Sequence, residues 1–420
     1  MNNYVKELEK AGELLRIKEF VSPELEIAEI TDRVVKNSGT ALLFENNGTE
    51  FPLLINVFGT YKRICQAFGV NSLDDISERI IKLFTAFSKP GKNFTDKLKL
   101  IPRLKEISGY QPKHIKGRGD CQQVLITQPD LAKLPILKCW QYDGGPFITL
   151  PNVHTKDPQT GIRNVGMYRM QVLSKDSTAM HWHLHKGSAA HFNKYKQLNQ
   201  KMPVSVSLGG DPVYTYCASA PLPENIDEYL LAGFIRKQAV RLVKCITNDI
   251  YVPEDADFVL EGYIDPDEAP VLEGPFGDHT GYYSLQDYYP VFHITAITHK
   301  KQAIYPATIV GIPPQEDTFL GKATERIFLP LIKLSIAPEL SDMNMPFEGV
   351  FHNLAIISIK KQYPGQGAKI INALWGAGQM MFNKIQIVTD HNINVADYNS
   401  VLNAIINNCD IDKDIFFSRG

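Results

Sequence analysis

From Cys121 to Lys300 the chain breaks into short apolar runs set between Gly, Pro and Asp, and this rhythm limits the fold more than any other feature. The runs are Gln123–Ile126, Arg163–Val172, Pro203–Leu208, Val240–Cys245, Phe258–Leu260 and Val291–Ile297. Segments this short, spaced by turn formers, predict strands, and a series of them predicts a β-barrel-like domain. One helix is expected to interrupt it, over Ile226–Arg236.

The flanks have a different period. Tyr4–Ile17 places Val5, Leu8, Leu14 and Leu15 at helical spacing, and Leu25–Lys36 does the same with Ile27, Ile30 and Val34. Ala41–Phe44 and Leu53–Val57 read as strands. Leu73–Phe87 reads as a helix carrying Ile76, Ile80, Ile81 and Phe84, broken by Pro90-Gly91-Lys92. A basic, proline-containing connector is expected near residues 100–115. Beyond the barrel block, Ala323–Leu334 and Gly367–Met381 are predicted helices. Leu354–Ile359 and Lys384–Val388 are predicted buried strands, so β-α-β units are expected there. The chain is therefore read as a multidomain mixture of α+β and α/β. An N-terminal α/β domain is expected over 1–115, a barrel domain over 116–302 and a C-terminal α/β domain over 303–420.

Charge and composition narrow the function classes. A formal net charge of −2 over 420 residues carries no sign of the basic surface that binds nucleic acid. No run approaches the roughly 18 apolar residues of a membrane helix, and Met1–Glu7 lacks an apolar signal-peptide core. Cys65, Cys121, Cys139, Cys217, Cys245 and Cys409 are scattered without a CxxC pair. They read as reduced cytoplasmic thiols, not as a disulfide framework or a zinc site.

Chemistry concentrates in five stretches. Leu272–Tyr283, Leu-Glu-Gly-Pro-Phe-Gly-Asp-His-Thr-Gly-Tyr-Tyr, sets two carboxylates, Glu273 and Asp278, among three glycines and a proline. Such a loop can hold two acids in unlike environments and separate their pKa values, or it can be a tight surface turn. In Arg163–Gln171, read as one strand, Asn164, Gly166 and Tyr168 share a face while Val165, Met167 and Arg169 take the other. Gly166 then suggests close approach of a ligand to the backbone. Arg169 in an apolar run suggests a carboxylate or phosphate clamp, the alternative being an arginine that reaches solvent or an internal acid. His181, His183 and His185 alternate in Met180–Gly187, as a metal or phosphate site would require, or as exposed positions on one strand face. Glu224, Asp227 and Glu228 sit where acids cap a helix; one of them could serve as a hard-oxygen ligand beside Asn164 and a histidine, a set suited to Mn²⁺ or Mg²⁺. Ala373–Met381, with Trp375 and two methionines, reads as a pocket wall or as core. No dinucleotide-binding, Walker or nucleophile-elbow motif is present.

Taken in order, these stretches resemble the UbiD family of decarboxylases. The likeness spans nearly the whole chain and includes Trp140–Thr149, Arg163–Gln171, Val259–Ile264, Glu273–Tyr283, Gly311–Asp317 and Ala373–Met381. It implies prenylated FMN bound with a divalent metal, usually Mn²⁺, often with K⁺, and reversible non-oxidative decarboxylation of aromatic or α,β-unsaturated acids. It implies a flavin-reductase-like split β-barrel between the two α/β domains, the second of them used in dimerisation. By the same resemblance, Arg169, Glu273 and Asp278 form the catalytic trio. Arg169 would hold the substrate carboxylate and tune Glu273; Glu273 would donate the proton that replaces CO₂, with Asp278 as its partner or as the donor itself. Asn164, His185 and Glu228 fall at the metal-binding positions. Met167, Tyr168, Arg169, His181, Trp182, His183, Lys186 and Gly187 fall on cofactor-contacting segments, and Lys384 is a candidate phosphate partner.

The resemblance has departures. His181 and Lys186 stand where many relatives carry Arg, Gln141 follows Trp140 in place of the frequent Pro, and Asp390–Asn394 replaces a more acidic run. Relatives continue beyond the point matching Gly420, so a short or truncated chain is expected. The leading expectation is a cytoplasmic homodimer or homohexamer that decarboxylates a hydroxybenzoate- or naphthoate-type acid, on a ubiquinone or menaquinone path, with its cofactor supplied by a flavin prenyltransferase. A prenylated substrate would bring peripheral membrane association. The alternatives are an acrylic-type acid decarboxylase, a non-catalytic flavin-binding or assembly subunit, and a flavin reductase. The last leaves Arg169 and both acids without a task.

Overall fold

Two residues, Tyr168 and Arg169, decide the shape of the central sheet. They alone join the strand Arg163–Met167 to the strand Met170–Ser174. In the sheet order the first of these is terminal and the second lies next to the opposite end, beside Phe147–Ile148. Between them stand Ser177–Met180, Val291–His299, Phe258–Ile264, Met202–Leu208 and Asn152–Lys156. Laid flat, those six steps would cover nearly 30 Å at about 4.8 Å each, whereas a two-residue link spans roughly 11 Å at most. The sheet therefore curls until its ends approach, and Arg169 stands at the seam. Every pairing in it is antiparallel, and Val124–Ile126 adds a ninth strand on Val291–His299.

This is the computed structural model of the chain, and it describes residues 1–88, 101–182, 187–223 and 225–418. Contacts divide it into two units, Met1–Val70 with Gly91–Phe319, and Asn71–Pro90 with Leu320–Gly420.

In the first unit the curled sheet shares its core with a smaller sheet ordered Leu14–Phe20, Ala41–Asn46, Leu53–Ile55, Tyr305–Pro306. Phe44, Phe258, Phe292, Leu42 and Ile27 are fully buried in it. Phe258–Ile264 is buried at nearly every position rather than alternately, because it is covered on both faces. Leu14 and Leu15 are not helical: the helix Asn2–Lys10 ends before Gly12, whose φ of 69° turns the chain into the strand Leu14–Phe20. The helix Glu26–Lys36 matches expectation. The connector near 100–115 contains a helix, Ile101–Tyr110, and a short strand, Lys113–His114, paired with Arg241–Lys244. Besides the expected helix, found over Glu228–Arg236, the barrel block holds Gly187–Gln197 and Pro212–Ser219. Pro212–Ser219 lies buried over most of its length, so it has no polar face for a periodicity to reveal.

In the second unit Leu340–Asn344, Leu354–Ile359 and Ile385–Asp390 form one sheet. The last two strands are parallel and joined through the helix Gln366–Trp375, the expected β-α-β unit. The helix Asp74–Ser88 belongs here too, and Ser77 Oγ donates to Arg326 O at 2.5 Å. Leu374 is core, whereas Met381 is half exposed, so Ala373–Met381 is partly packing and partly surface. Among the described residues none of the six cysteines is in a disulfide, and no helix is long and apolar enough to cross a membrane.

Candidate active site

The run Arg163–Gln171 is not one strand. It breaks at Tyr168-Arg169, so the expected alternation of faces fails there. Tyr168 folds back over Gly166: a Cβ on Gly166 would lie 2.3 Å from the Tyr168 hydroxyl. The glycine makes room for this tyrosine, not for a ligand. The same break frees Arg169 from the sheet and turns its guanidinium toward the acid loop.

Glu273 ends the strand Val271–Glu273, in register with Asp287 of Asp287–Tyr289. Arg169 Nε donates to Glu273 Oε1 at 2.8 Å, and Nη2 donates to Oε2 at 3.1 Å. Nη2 also donates to Ser284 Oγ at 3.0 Å, and Nη1 stands 3.6 Å from Asp278 Oδ2. The guanidinium carbon lies 4.7 Å from the centre of the Phe276 ring. His181 Nδ1 is 3.1 Å from Glu273 Oε2, and its ring packs against Tyr289 at 4.3 Å. Glu273 is thus wholly buried yet held by an arginine fork and a histidine.

The two acids sit in unlike environments, but their pKa values are not driven apart. Burial pushes the Glu273 carboxyl up; the hydrogen bonds from His181 and Arg169 and the Arg169 charge outweigh it, and the net value falls below the ordinary glutamate range. Asp278 follows the same pattern. Burial raises its pKa, the His279 imidazole at 2.6 Å and the Arg169 charge lower it further, and the balance is downward. His279 moves the opposite way, its raised pKa reflecting Asp278 over the effect of burial. Both acids are ionised in this structure, so neither is a stored carboxylic acid.

The loop is clamped from the segment Trp140–Gly145. Asp143 Oδ1 accepts from Gly277 N at 2.7 Å, while Oδ2 accepts from Trp140 N at 2.8 Å and Cys139 N at 3.1 Å. Gly144 N donates to Pro275 O at 2.8 Å. Gln171 bridges the two pieces, with Oε1 accepting from Gly274 N at 2.7 Å and Nε2 donating to Gly144 O at 2.9 Å. A Cβ on Gly277 would sit 1.9 Å from Trp140 Cδ2, so only glycine fits beneath the indole. Asp143, Gln171 and Ser284 had no assigned role in the sequence reading. The Asp-Gly-Gly triplet was a usable signal for Asp143, but nothing local marked Ser284. Glu261, inside another quoted stretch, anchors the Ile246-Thr247 backbone instead of facing this site.

Glu228 reaches the edge strand at the residue after Asn164, whose own Nδ2 donates to Ser188 Oγ at 3.0 Å. Glu228 Oε2 accepts from Val165 N at 3.0 Å, one residue from Asn164. Its carboxyl is buried, and burial raises its pKa to about 7. Asp227 is the helix cap, accepting from Tyr229 N at 2.8 Å, and pairs with Arg163. Gly187 lies against Asn164, with a built Cβ 2.2 Å from Asn164 Oδ1. A buried carboxylate and an amide oxygen beside a glycine cradle fit a hard cation. Trp182 Nε1 is buried with no hydrogen-bond partner among the described residues, a donor that a bound polar group would satisfy. His183, His185, Lys186 and Glu224 lie outside the described residues. Among those described, no three His, Cys, Asp or Glu side chains gather as a metal site. Met167 ends its strand in register with Asn152. Lys384 is exposed in the second unit, its backbone N–H donating to Asn353 O at 2.8 Å.

The antiparallel sheet, curled on itself, brings an arginine and two carboxylates together at its seam. Comparison with known proteins gives its class. Residues 5–80, 113–313 and 318–420 match the family models of the N-terminal, Rift-related and C-terminal domains of 3-octaprenyl-4-hydroxybenzoate carboxy-lyase. The chain belongs to the UbiD family of carboxy-lyases, as its sequence motifs indicated, and is a decarboxylase. It is 50% identical to an uncharacterized protein of Aquifex aeolicus, covering 100% of this chain and 86% of the relative. It is 48% identical to one of Archaeoglobus fulgidus, covering 99% and 85%. Among solved structures, the vanillic acid decarboxylase of Sedimentibacter hydroxybenzoicus in closed form superposes with a TM-score of 0.85 at 26% identity, over 98% of this chain and 85% of that one. An evolved dimeric form of the UbiD-class enzyme HmfF from Pelotomaculum thermopropionicum, solved with prFMN, gives 0.83 at 27%, over 98% and 90%.

Proposed function

We propose that this decarboxylase acts on an aromatic acid of the hydroxybenzoate or naphthoate type, uses prenylated FMN, and serves a quinone-forming path. The observation that carries the reading is the Arg169 guanidinium, bonded twice to Glu273 and 3.6 Å from Asp278. A flavin reductase has no use for that arrangement. The neighbour solved with prFMN supports the cofactor.

In this reading the central sheet is a split barrel of the flavin-reductase kind, set between α/β domains over 1–115 and 303–420. Asn164, His185 and Glu228 would hold Mn²⁺ against the cofactor phosphate, with K⁺ nearby. Met167, Tyr168, His181, Trp182, His183, Lys186 and Gly187 would line the cofactor, and Lys384 would reach its phosphate. Bound there, prenylated FMN supplies the electron sink that loss of CO₂ from an sp² carbon requires and that no side chain offers. Arg169 draws the substrate carboxylate to the seam and orients it. Glu273 and Asp278 carry the proton that replaces CO₂, and His181 and Ser284 hold Glu273 and Arg169 in place. The protein works in the cytoplasm as a homodimer or homohexamer, with a flavin prenyltransferase as its cofactor source.

The test is production together with a flavin prenyltransferase, followed by a screen of aromatic and acrylic acids for CO₂ release. A modified-flavin absorbance and turnover of an aromatic acid are expected. Plain FMN or no flavin under those conditions overturns the cofactor assignment. Turnover of acrylic acids alone overturns the substrate class.

A further inference from the structure

Asp317 is a carboxylate without an evident task. It follows Glu316, and the two neighbours contrast sharply. The Glu316 carboxylate accepts from Phe58 N at 2.8 Å, Asn56 N at 3.1 Å and Thr308 Oγ1 at 2.7 Å, and so ties the start of the helix Glu316–Ser335 to the small sheet. Both Asp317 carboxylate oxygens are buried with no side-chain hydrogen-bond partner among the described residues, and only the Thr318 backbone N–H favours their charged form locally. A buried carboxylate left so is costly unless a cation faces it. First-turn placement on a helix favours an acid but does not explain burying it.

The cation that acts on it electrostatically is His279. The segment that carries Asp317 runs against the acid loop: a Cβ on Gly281, where φ is 85°, would lie 2.5 Å from Ile312 Cγ1, and Trp140 Nε1 donates to Val310 O at 3.1 Å. His279 and Asp317 act on each other electrostatically, and Asp278 acts on both. His279 Nδ1 in turn lies 2.6 Å from Asp278 Oδ1. The charged groups around His279 are Asp278 on its own loop, Asp317 from the following helix and Arg169 from the seam. Those around Asp317 are His279, Glu316 and Asp278.

We propose that Asp317 is a positioning residue that holds His279 as an imidazolium, and that His279 is the resting store of the proton delivered through Asp278. As the bond to CO₂ breaks, its electron pair stays with the carbon. Asp278, a carboxylate at rest, takes H⁺ from His279 Nδ1 and passes it to that carbon, and the neutral imidazole is reprotonated from solvent. Net, one carboxylate and one proton become one C–H bond and CO₂. This rests on the decarboxylase reading for the step at Asp278, but not for the charge coupling behind it. Burial raises the Asp317 pKa to about 7, so its charge, and the coupling with it, grows as pH rises through neutrality.

The test is an NMR titration of the His279 imidazole, assigned by its loss in His279→Gln, in wild type and in Asp317→Asn. Removing a facing charge is expected to lower the His279 midpoint by about half a pH unit or more. In holoenzyme the alkaline limb of the kcat/KM profile is expected to move down with it. An unmoved midpoint in an Asp317→Asn protein that melts like wild type overturns the proposal. So does a moved midpoint with an unmoved limb in active enzyme. If no acid is turned over, the titration alone decides the coupling, and the decarboxylase reading fails separately. Should Asp317→Asn not fold, infrared titration of the His279→Gln protein reads the reverse effect. The protonated Asp317 carboxyl is then expected to persist to higher pH, and an unchanged signal overturns the coupling.

Discussion

Arg169 and Glu273, 104 residues apart in the chain, meet through two parallel hydrogen bonds of 2.8 and 3.1 Å with the carboxylate wholly buried. A buried charge that loses its partner is destabilised far more than an exposed one. Arg169→Ala is therefore expected to lower unfolding free energy by about 3 kcal/mol and to abolish turnover. Arg169→Lys should keep the charge but lose the fork, restoring part of the stability and little of the activity. Chemical denaturation and CO₂ release check the pair. Equal stability of the Ala variant and wild type would show that Glu273 does not depend on this arginine.

Glu273 also sets a pH dependence. Its folded pKa lies below the unfolded value, so its contribution to stability is present above the unfolded pKa and disappears as pH falls through the folded one. Melting curves of Glu273→Gln should be flatter than those of wild type on the acid side and lower at neutral pH.

The two acids are separated by their variants. If either acid carries the proton to carbon, its amide variant should lose at least about 10²-fold in kcat. Glu273→Gln is expected to retain the flavin while losing both CO₂ release and solvent-deuterium exchange. Asp278→Asn should lose exchange as well. Full exchange in one variant removes that acid from proton delivery.

If the buried Glu228 carboxylate, which accepts from Val165 N beside Asn164, is the hard ligand proposed above, Glu228→Ala is expected to strip metal and flavin together. Metal analysis and flavin absorbance of the purified variant check this. A variant that keeps both would remove Glu228 from the ligand set.

Gly277→Ala tests the loop clamp. The added methyl would fall 1.9 Å from Trp140 Cδ2, so the indole or the loop must move. Overpacking of this kind costs about 1–3 kcal/mol. A matching fall in kcat is expected, since the shift displaces Asp278 next in the chain. Thermal melts and steady-state kinetics measure the two effects.

Much of this protein was legible in its sequence because the signals were local. Most short apolar runs between turn formers became strands of the curled sheet, though Val240–Cys245 pairs in a separate three-stranded sheet, and Leu354–Ile359 with its following helix became a β-α-β unit. The motifs in order gave the family. Signals failed where the chain is governed by contacts from afar. Leu14 and Leu15 have helical spacing but pair as a strand with Ala41 and Leu42. Pro212–Ser219 shows no polar face because neighbours cover nearly all of it. Arg163–Gln171 looked continuous, but each half pairs with different partners, and the break between them is set by closure of the sheet. Arg169, Glu273 and Asp278 stood out by residue type, and the resemblance to the family grouped them as a trio. Their charge states did not stand out. Whether a carboxyl holds its proton depends on burial and on the cations facing it, and for Glu273 those arrive from 104 residues away at Arg169 and 92 at His181. Sequence determined which acids the loop carries; only the folded seam decided that both are ionised and that a histidine and a second buried aspartate stand behind one of them.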